Sequence, residues 1–222
     1  MLKRIENLYS YFISIISIFV LLATTVIIFG FNPHVFFFIQ SKITLFNKPI
    51  NEYIGISLDT LKSLYINTFD FLKSHNYDQS IIYRFFNDKE LTHLKDIQLI
   101  YSNLKTIYLI CLLILIVSFI LILFKKININ RYLNCFKNVI FFTLIVFLIL
   151  GLYAIVDFNG FWTMFHHFLF TNDLWLLSYS TDVLLMMMPE NLFFILVLCI
   201  LFIFVLLVFI YYRLLVLLRK KI

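Results

Sequence analysis

Leu192–Tyr212 reads LFFILVLCILFIFVLLVFIYY, a run with no charge, no glycine and no proline. At 1.5 Å per residue a helix of this length crosses the roughly 30 Å hydrocarbon core of a bilayer. Three more stretches of the same kind precede it: Tyr9 to Phe29, Thr106 to Phe124 and Val139 to Val156, none carrying an ionised side chain. The chain is 63% hydrophobic and only 14% charged, beyond what a soluble core hides. These features predict an all-α membrane protein with four transmembrane helices. The first stretch follows Lys3 and Arg4 as a signal peptide would, but no small-residue cleavage site comes after it, so it reads as a retained helix.

Orientation follows from the flanks. With alternating spans, Lys3, Arg4, Lys125, Lys126, Arg131, Lys137, Arg213, Arg219, Lys220 and Lys221 fall on one side, while eleven of the twelve acids fall on the other. The basic side is the cytoplasmic one, giving an N-in/C-in topology. The expected order is therefore a first span within 1–30, an extracellular helical cap at 31–105, spans at 106–124 and 139–156 joined by a cytoplasmic basic loop at 125–138, an extracellular interfacial segment at 157–191, and a last span with a cytoplasmic tail at 192–222. The net charge of +6 is explained by this asymmetry. The basic residues show no aromatic-interleaved patch, which argues against nucleic acid. Cys111, Cys135 and Cys199 lie in or beside apolar runs and read as small buried hydrophobes, not as a disulfide framework.

Both outer segments are rich in aromatics and poor in Gly and Ser, unlike linkers. Ser57 before Asp59 is a helix start, and Leu58, Leu61, Tyr65, Phe69 and Leu72 keep helical spacing, predicting a helix that ends near Ser74. Asn87 with Glu90 three residues on has capping-box spacing and opens a second helix through His93, Asp96 and Ile100. On a straight helix His93 would stand about 20 Å beyond Thr106, so chemistry at the lipid surface requires a bend or tilt. Asp157, Asn159 and Gly160 interrupt the third span, and an interfacial or re-entrant piece follows.

No GxSxG elbow, HExxH motif, P-loop or dinucleotide fingerprint is present. The histidines are the side chains left that take and give a proton near neutrality. His93 shares a helix face with Glu90, and Asp96 lies further round. His166 and His167 are adjacent and point about 100° apart, so one works while the other packs. His166 falls with Trp162, Phe170 and Asp173, and Asp173 would orient it were the helix to continue that far. His34 and His75 read as ordinary hydrogen-bonded side chains. Phe158, Phe161, Trp162, Phe165, Phe168 and Trp175 serve either as an interface belt or as a greasy slot for a lipid chain.

Two stretches carry a family resemblance: FFNDKELTHLKDIQLIY, Phe85 to Tyr101, and DFNGFWTMFHHFLFTNDLWLLSYSTDVLLMMMPENLFF, Asp157 to Phe194. E-x-x-H-x-x-D before the second span, then F-H-x-x-x-F, N-D-x-W and T-D before M-P, resemble the lipoprotein intramolecular transacylase family of Gram-positive bacteria. The resemblance implies an enzyme of the bacterial cell membrane with its active site on the extracellular face. It would move the sn-2 acyl chain of a diacylglyceryl-cysteine lipoprotein to the α-amine of the same cysteine, giving the lyso-form. The family's two catalytic histidines map onto His93 and His166. Asn159 stands where family members often have an acid, so that position carries no charge here.

The chemistry asks for one base and one acid, because the amine loses a proton and the leaving glycerol oxygen gains one. Attack closes an awkward medium ring through N, Cα, Cβ, S, two glycerol carbons, the ester oxygen and the carbonyl carbon, and a confined slot including Trp162, Phe165 and Trp175 would hold the substrate folded. Glu90, Asp96, Asp173 and Asp182 are candidate orienting or binding partners. No metal, cofactor or acyl-enzyme nucleophile is required. The expected partners are the diacylated lipoprotein and membrane lipid, with the protein acting as a monomer. A metalloenzyme is the rival within enzymology, yet no two of these histidines stand at ligand spacing i, i+3 or i, i+4. A small transporter or a non-catalytic membrane protein is the alternative from another class, although uncharged spans offer no polar pathway.

Overall fold

The computed structural model describes residues 2–221, and the chain is almost entirely helical. Helix α1 is Leu2–Thr25, continued by a π-helical turn at Val26–Gly30. Then come α2 (Pro33–Gln40), a two-stranded hairpin of β1 (Thr44–Leu45) and β2 (Lys48–Pro49), α3 (Ile50–Ile54), α4 (Leu58–Leu72), α5 (Gln79–Phe85), α6 (Asp88–Leu123), α7 (Ile129–Val156), α8 (Phe158–Leu169), α9 (Val183–Met187) and α10 (Glu190–Arg219). Four helices are long and apolar enough to cross a membrane: Lys3–Gly30, Asp88–Leu123, Ile129–Val156 and Glu190–Arg219. The protein is a multi-pass membrane protein.

The chain divides into two compact units. The first comprises Met1–Val26, Leu104–Leu152 and Leu201–Ile222. Ser10, Ser14 and Ser17 form a buried stripe on α1, each hydroxyl donating to a carbonyl four residues back. Small residues of this kind let helices approach closely, and the approach is secured by hydroxyl contacts. Ser17 Oγ meets the Tyr132 hydroxyl at 2.7 Å, which meets the Tyr211 hydroxyl at 2.8 Å, tying α1, α7 and α10 at one point. Tyr9 pairs with Ser118 at 3.2 Å, and Arg131 forms an ion pair with Glu6.

The second unit comprises Ile27–Asn103 and Tyr153–Ile200. Its core gathers Phe36, Leu61, Leu64, Tyr65, Phe69, Ile82, Leu94, Met187 and Leu192. The Ser57 hydroxyl caps α4 by accepting from Thr60 N at 3.1 Å. Leu61, Tyr65, Phe69 and Leu72 face the core as their spacing predicts, whereas Leu58 at the open end of the helix is 53% exposed. The Tyr65 hydroxyl reaches the Met187 carbonyl. Asn32 caps α2 with Pro33 in its first turn. Phe46 and Asn47 both take positive φ, the backbone of a two-residue primed hairpin turn, with Leu45 opposite Lys48.

The helix opened by Asn87 and the second span are one element. α6 has 36 residues, about 54 Å of helix, against a hydrocarbon core near 30 Å. Its polar first part, with Glu90, His93 and Asp96, precedes the apolar stretch from Thr106. Neither proline nor glycine occurs in it and its helical bonding is unbroken, so no sharp kink supplies the bend expected above.

Candidate active site

Three short-range devices place the polar groups of the second unit. At the start of α6, Glu90 Oε2 accepts from Asn87 N at 2.8 Å while Asn87 Oδ1 accepts from Glu90 N at 3.0 Å, the reciprocal capping box. The other Glu90 oxygen accepts from Leu184 N at 2.6 Å. Glu90 is therefore more than a cap: it fastens α6 to α9. Asn87 Nδ2 also donates to Asp182 Oδ1 at 2.8 Å, and Asp182 Oδ2 accepts from Ser178 N at 2.7 Å. Burial raises the Glu90 carboxyl above its ordinary range, opposed by its two backbone hydrogen bonds. Burial also pushes Asp182 upward, but hydrogen bonds from Ser178, Asn87 and Thr181 with the nearby Lys89 charge outweigh it and leave the carboxyl lowered.

At the start of α8, Asp157 caps the helix by accepting from Gly160 N at 2.9 Å. A Cβ on Gly160 would stand 2.2 Å from Asp157 Oδ2 and 2.8 Å from the Tyr153 hydroxyl, so only glycine allows the cap. Asn159 lies near Glu190, 3.4 Å from Oε1.

These devices bring His93 and His166 together, with ring centroids 6.2 Å apart. His93 is 5% and His166 7% exposed. The Nδ1 of His166 donates to the Trp162 carbonyl one turn back at 2.7 Å, which leaves Nε2 as the bare acceptor of the neutral ring. Aromatic rings enclose the pair. Phe170 lies 4.9 Å from His93 and 5.7 Å from His166, and Trp175 stacks on His166 at 4.7 Å. Trp162 touches His166 edge-on at 4.5 Å, and Phe165 contacts both Trp162 and His166.

Burial pushes the His93 imidazole down to about 4, with His166 adding to the effect and Asp96 opposing it. Burial lowers His166 too, the Trp162 carbonyl opposing and His167 reinforcing. Both shifts favour the neutral form of the rings. Such a pair can accept and return a proton in a setting that excludes water.

A profile of the lipoprotein intramolecular transacylase Lit matches residues 11–194. The chain belongs to the lipoprotein intramolecular transacylase family. No curated protein sequence matches it significantly. Among solved structures, the in meso structure of the transacylase Lit from Bacillus cereus superposes with TM-score 0.75 at 22% identity, covering 100% of this chain and 99% of that one. Two histidine variants of that protein, to arginine and to alanine, superpose with TM-score 0.74 at 19% and 21% identity, each covering 99% of this chain and 95% or 97% of theirs. These likenesses establish a shared fold.

Within this transacylase, the remaining candidates separate. Asp96 does not reach an imidazole but accepts from Asn172 Nδ2 at 3.0 Å, fixing the loop after α8. Asp173 lies outside the helix, because α8 stops at Leu169 and Phe170 is extended. Asp173 is exposed, and the Trp162 carbonyl occupies the His166 nitrogen it was expected to orient. His167 is exposed and edge-on to Trp175. His75 lies 3.7 Å from Asp70. Among the described residues, no group of three or more His, Cys, Asp or Glu is placed to hold a metal. Sequence reasoning missed the Asn87–Asp182 and Asp96–Asn172 links. Asparagine's ability to bridge acids across loops leaves no spacing signal.

Proposed function

We propose that this transacylase moves the sn-2 acyl chain of a diacylglyceryl cysteine to the α-amine of the same residue, on the extracellular face of the membrane, yielding a lyso-form lipoprotein. The observation that carries the reading is the pairing of His93 and His166, neutral and buried inside an aromatic enclosure. The amine attacks the ester carbonyl, its proton passes to a histidine, and the glycerol oxygen leaves with a proton returned by the same site. His166 Nε2 is the acceptor, since Nδ1 is committed to the Trp162 carbonyl. His93 presents a second ring 6.2 Å away, kept neutral chiefly by burial, and a proton on His166 further disfavours a second one on His93. Trp162, Phe165 and Trp175 fold the substrate so that amine and ester meet. Donor and acceptor belong to one molecule, so the balance closes without metal or cofactor, and the protein acts as a monomer.

The test is mass spectrometry of the N-terminal peptide of a diacylated lipoprotein from a host lacking N-acylation. Wild-type protein is expected to give N-acyl, S-monoacylglyceryl cysteine of unchanged mass, in the presence of a chelator as in its absence. His93→Ala and His166→Ala are each expected to lower the rate by about 10²–10⁴. Untouched diacyl peptide with folded, inserted wild-type protein would sink the reading.

A further inference from the structure

Among the described residues only three buried side-chain polar atoms lack a hydrogen-bond partner: Gln40 Oε1, His93 Nδ1 and Trp175 Nε1. Two of the three belong to the aromatic enclosure of the histidine pair. Proteins seldom leave such groups unpaired without a functional reason, since burial removes water and supplies nothing in return. The Trp175 indole is a donor only. It is 8% exposed, stacked on His166 at 4.7 Å and edge-on to His167 at 5.1 Å, so its place beside His166 is fixed. A buried donor held beside the proton acceptor, with no acceptor of its own, awaits one from outside the chain.

We propose that the indole N–H of Trp175 donates to the oxyanion of the tetrahedral intermediate. The inference rests on the transacylase reading given above and adds a catalytic contact to it. When the amine lone pair forms the new C–N bond, the carbonyl π pair moves onto oxygen. That oxygen carries the charge until the C–O bond to the glycerol breaks and the pair returns. The amine proton goes to histidine and from there to the departing glycerol oxygen, so ester and amine become amide and alcohol. An indole N–H suits the developing charge because it donates without surrendering its proton, leaving proton transfer to the histidines. It also meets its best acceptor only while charge is on the oxygen, which is the condition for lowering the barrier rather than tightening the ground state.

Two replacements separate donor from ring. Trp175→Phe keeps an aromatic face and removes the N–H. Incorporation of β-(3-benzothienyl)alanine at the same position keeps the size and stacking and puts sulfur where the N–H was. With the purified full chain in lipid and a synthetic diacylglyceryl-cysteine peptide, both are expected to lower kcat by about 10²–10³-fold, as loss of a single oxyanion donor does. KM and the acid limb of the pH profile are expected to stay put, and Tm to hold or rise in the benzothienyl protein, where an unpaired donor has gone at constant ring size, whereas Trp175→Phe loses some Tm to the cavity it leaves. Wild-type kcat in the benzothienyl protein would overturn the inference while leaving the transacylase reading intact. In the benzothienyl protein, a kcat loss accompanied by a fall in Tm and a displaced pH profile would overturn it as well, making Trp175 a support for His166. Absence of lyso-form product from the unmodified protein would instead overturn the reading on which it rests.

Discussion

In the unit that contains Ser17, a small apolar cluster with Ile13, Ile122, Phe136 and Phe204 is laced by hydroxyls: Ser17, Tyr132 and Tyr211 form a chain of contacts at 2.7 and 2.8 Å, and Tyr9 meets Ser118. In the unit that contains His93, helices meet through a larger apolar core, and its polar ties are mainly carboxylates held by backbone and amide N–H groups, with the Tyr65 hydroxyl and the Gln98 amide adding ties to backbone carbonyls. The contrast follows from solvent. Between spans, lipid tails are as apolar as leucine, so burial of leucine gives no preference and small residues with hydroxyls decide which faces meet. In the other unit burial itself drives packing, at roughly 25 cal/mol per Å² of apolar surface. That surplus lets Glu90, His93, His166 and Asp182 be held out of water, where their protonation is unusual.

The contrast can be broken most directly at Glu90. Glu90→Ala leaves the N–H groups of Asn87 and Leu184 without their acceptor, and each loss costs about 1–3 kcal/mol. Thermal unfolding in detergent is expected to begin well below the wild-type temperature, with lyso-form yield falling in step. Glu90→Gln, which keeps one acceptor oxygen, is expected to fall between. Unchanged Tm in Glu90→Ala would mean that the apolar core alone holds α6 to α9.

Acid is the next lever. An ordinary histidine protonates near 6.5, but both site histidines are shifted downward, His93 to about 4. The neutral form that the proposed mechanism uses therefore persists below pH 6.5, and turnover, once divided by the fraction of substrate amine that is unprotonated, is expected to be flat from pH 8 to beneath that value before it drops. Stability follows the same sign. The unfolded chain takes up protons first as pH falls from 6.5 toward 4, so folded protein is lost through that window and is fully favoured above it. A rate profile with its acid midpoint at or above 6.5 would show water reaching the pair.

Smaller effects sharpen the picture. Gly160→Ala forces Asp157 off the first turn of α8, and loss of a cap costs about 0.5–2 kcal/mol. Because α8 carries His166, turnover is expected to fall along with stability. Ser17→Ala is expected to cost only about 0.6 kcal/mol, the average for a polar contact between spans. It should leave turnover alone, as measured by initial lyso-form rate. A turnover loss in Ser17→Ala to match that of Glu90→Ala would erase the distinction between the units.

What could be read from the sequence was what one stretch of chain decides by itself. Spans are legible because length and hydrophobicity suffice, and the caps at Ser57 and Asn87 with Glu90 because their partners lie three residues away. The histidine pair, 73 residues apart in sequence, came from the family resemblance; spacing by itself carries no such information. An ideal helix would put Asp173 two turns beyond His166, but Phe170 turns extended to pack against both imidazoles, and tertiary packing overrides the period. The hairpin at Thr44–Pro49 went unread because its turn begins with Phe46 at positive φ, where glycine or asparagine would have marked it. Asn32 with Pro33 is a local start signal for α2.

The Glu90 carboxylate has a consequence for ionic strength. Its hydrogen-bonding partners are two backbone N–H groups, that of Leu184 buried and that of Asn87 partly so, with no lysine or arginine among them. Dissolved ions weaken attractions between exposed charges over about 10 Å in dilute buffer and 3 Å in brine, and buried contacts much less. The tie between α6 and α9 is thus indifferent to salt, while the partly exposed Arg131–Glu6 pair is not. The half of the molecule that holds the histidines keeps this tie at salt concentrations that weaken the ion pair in the other half.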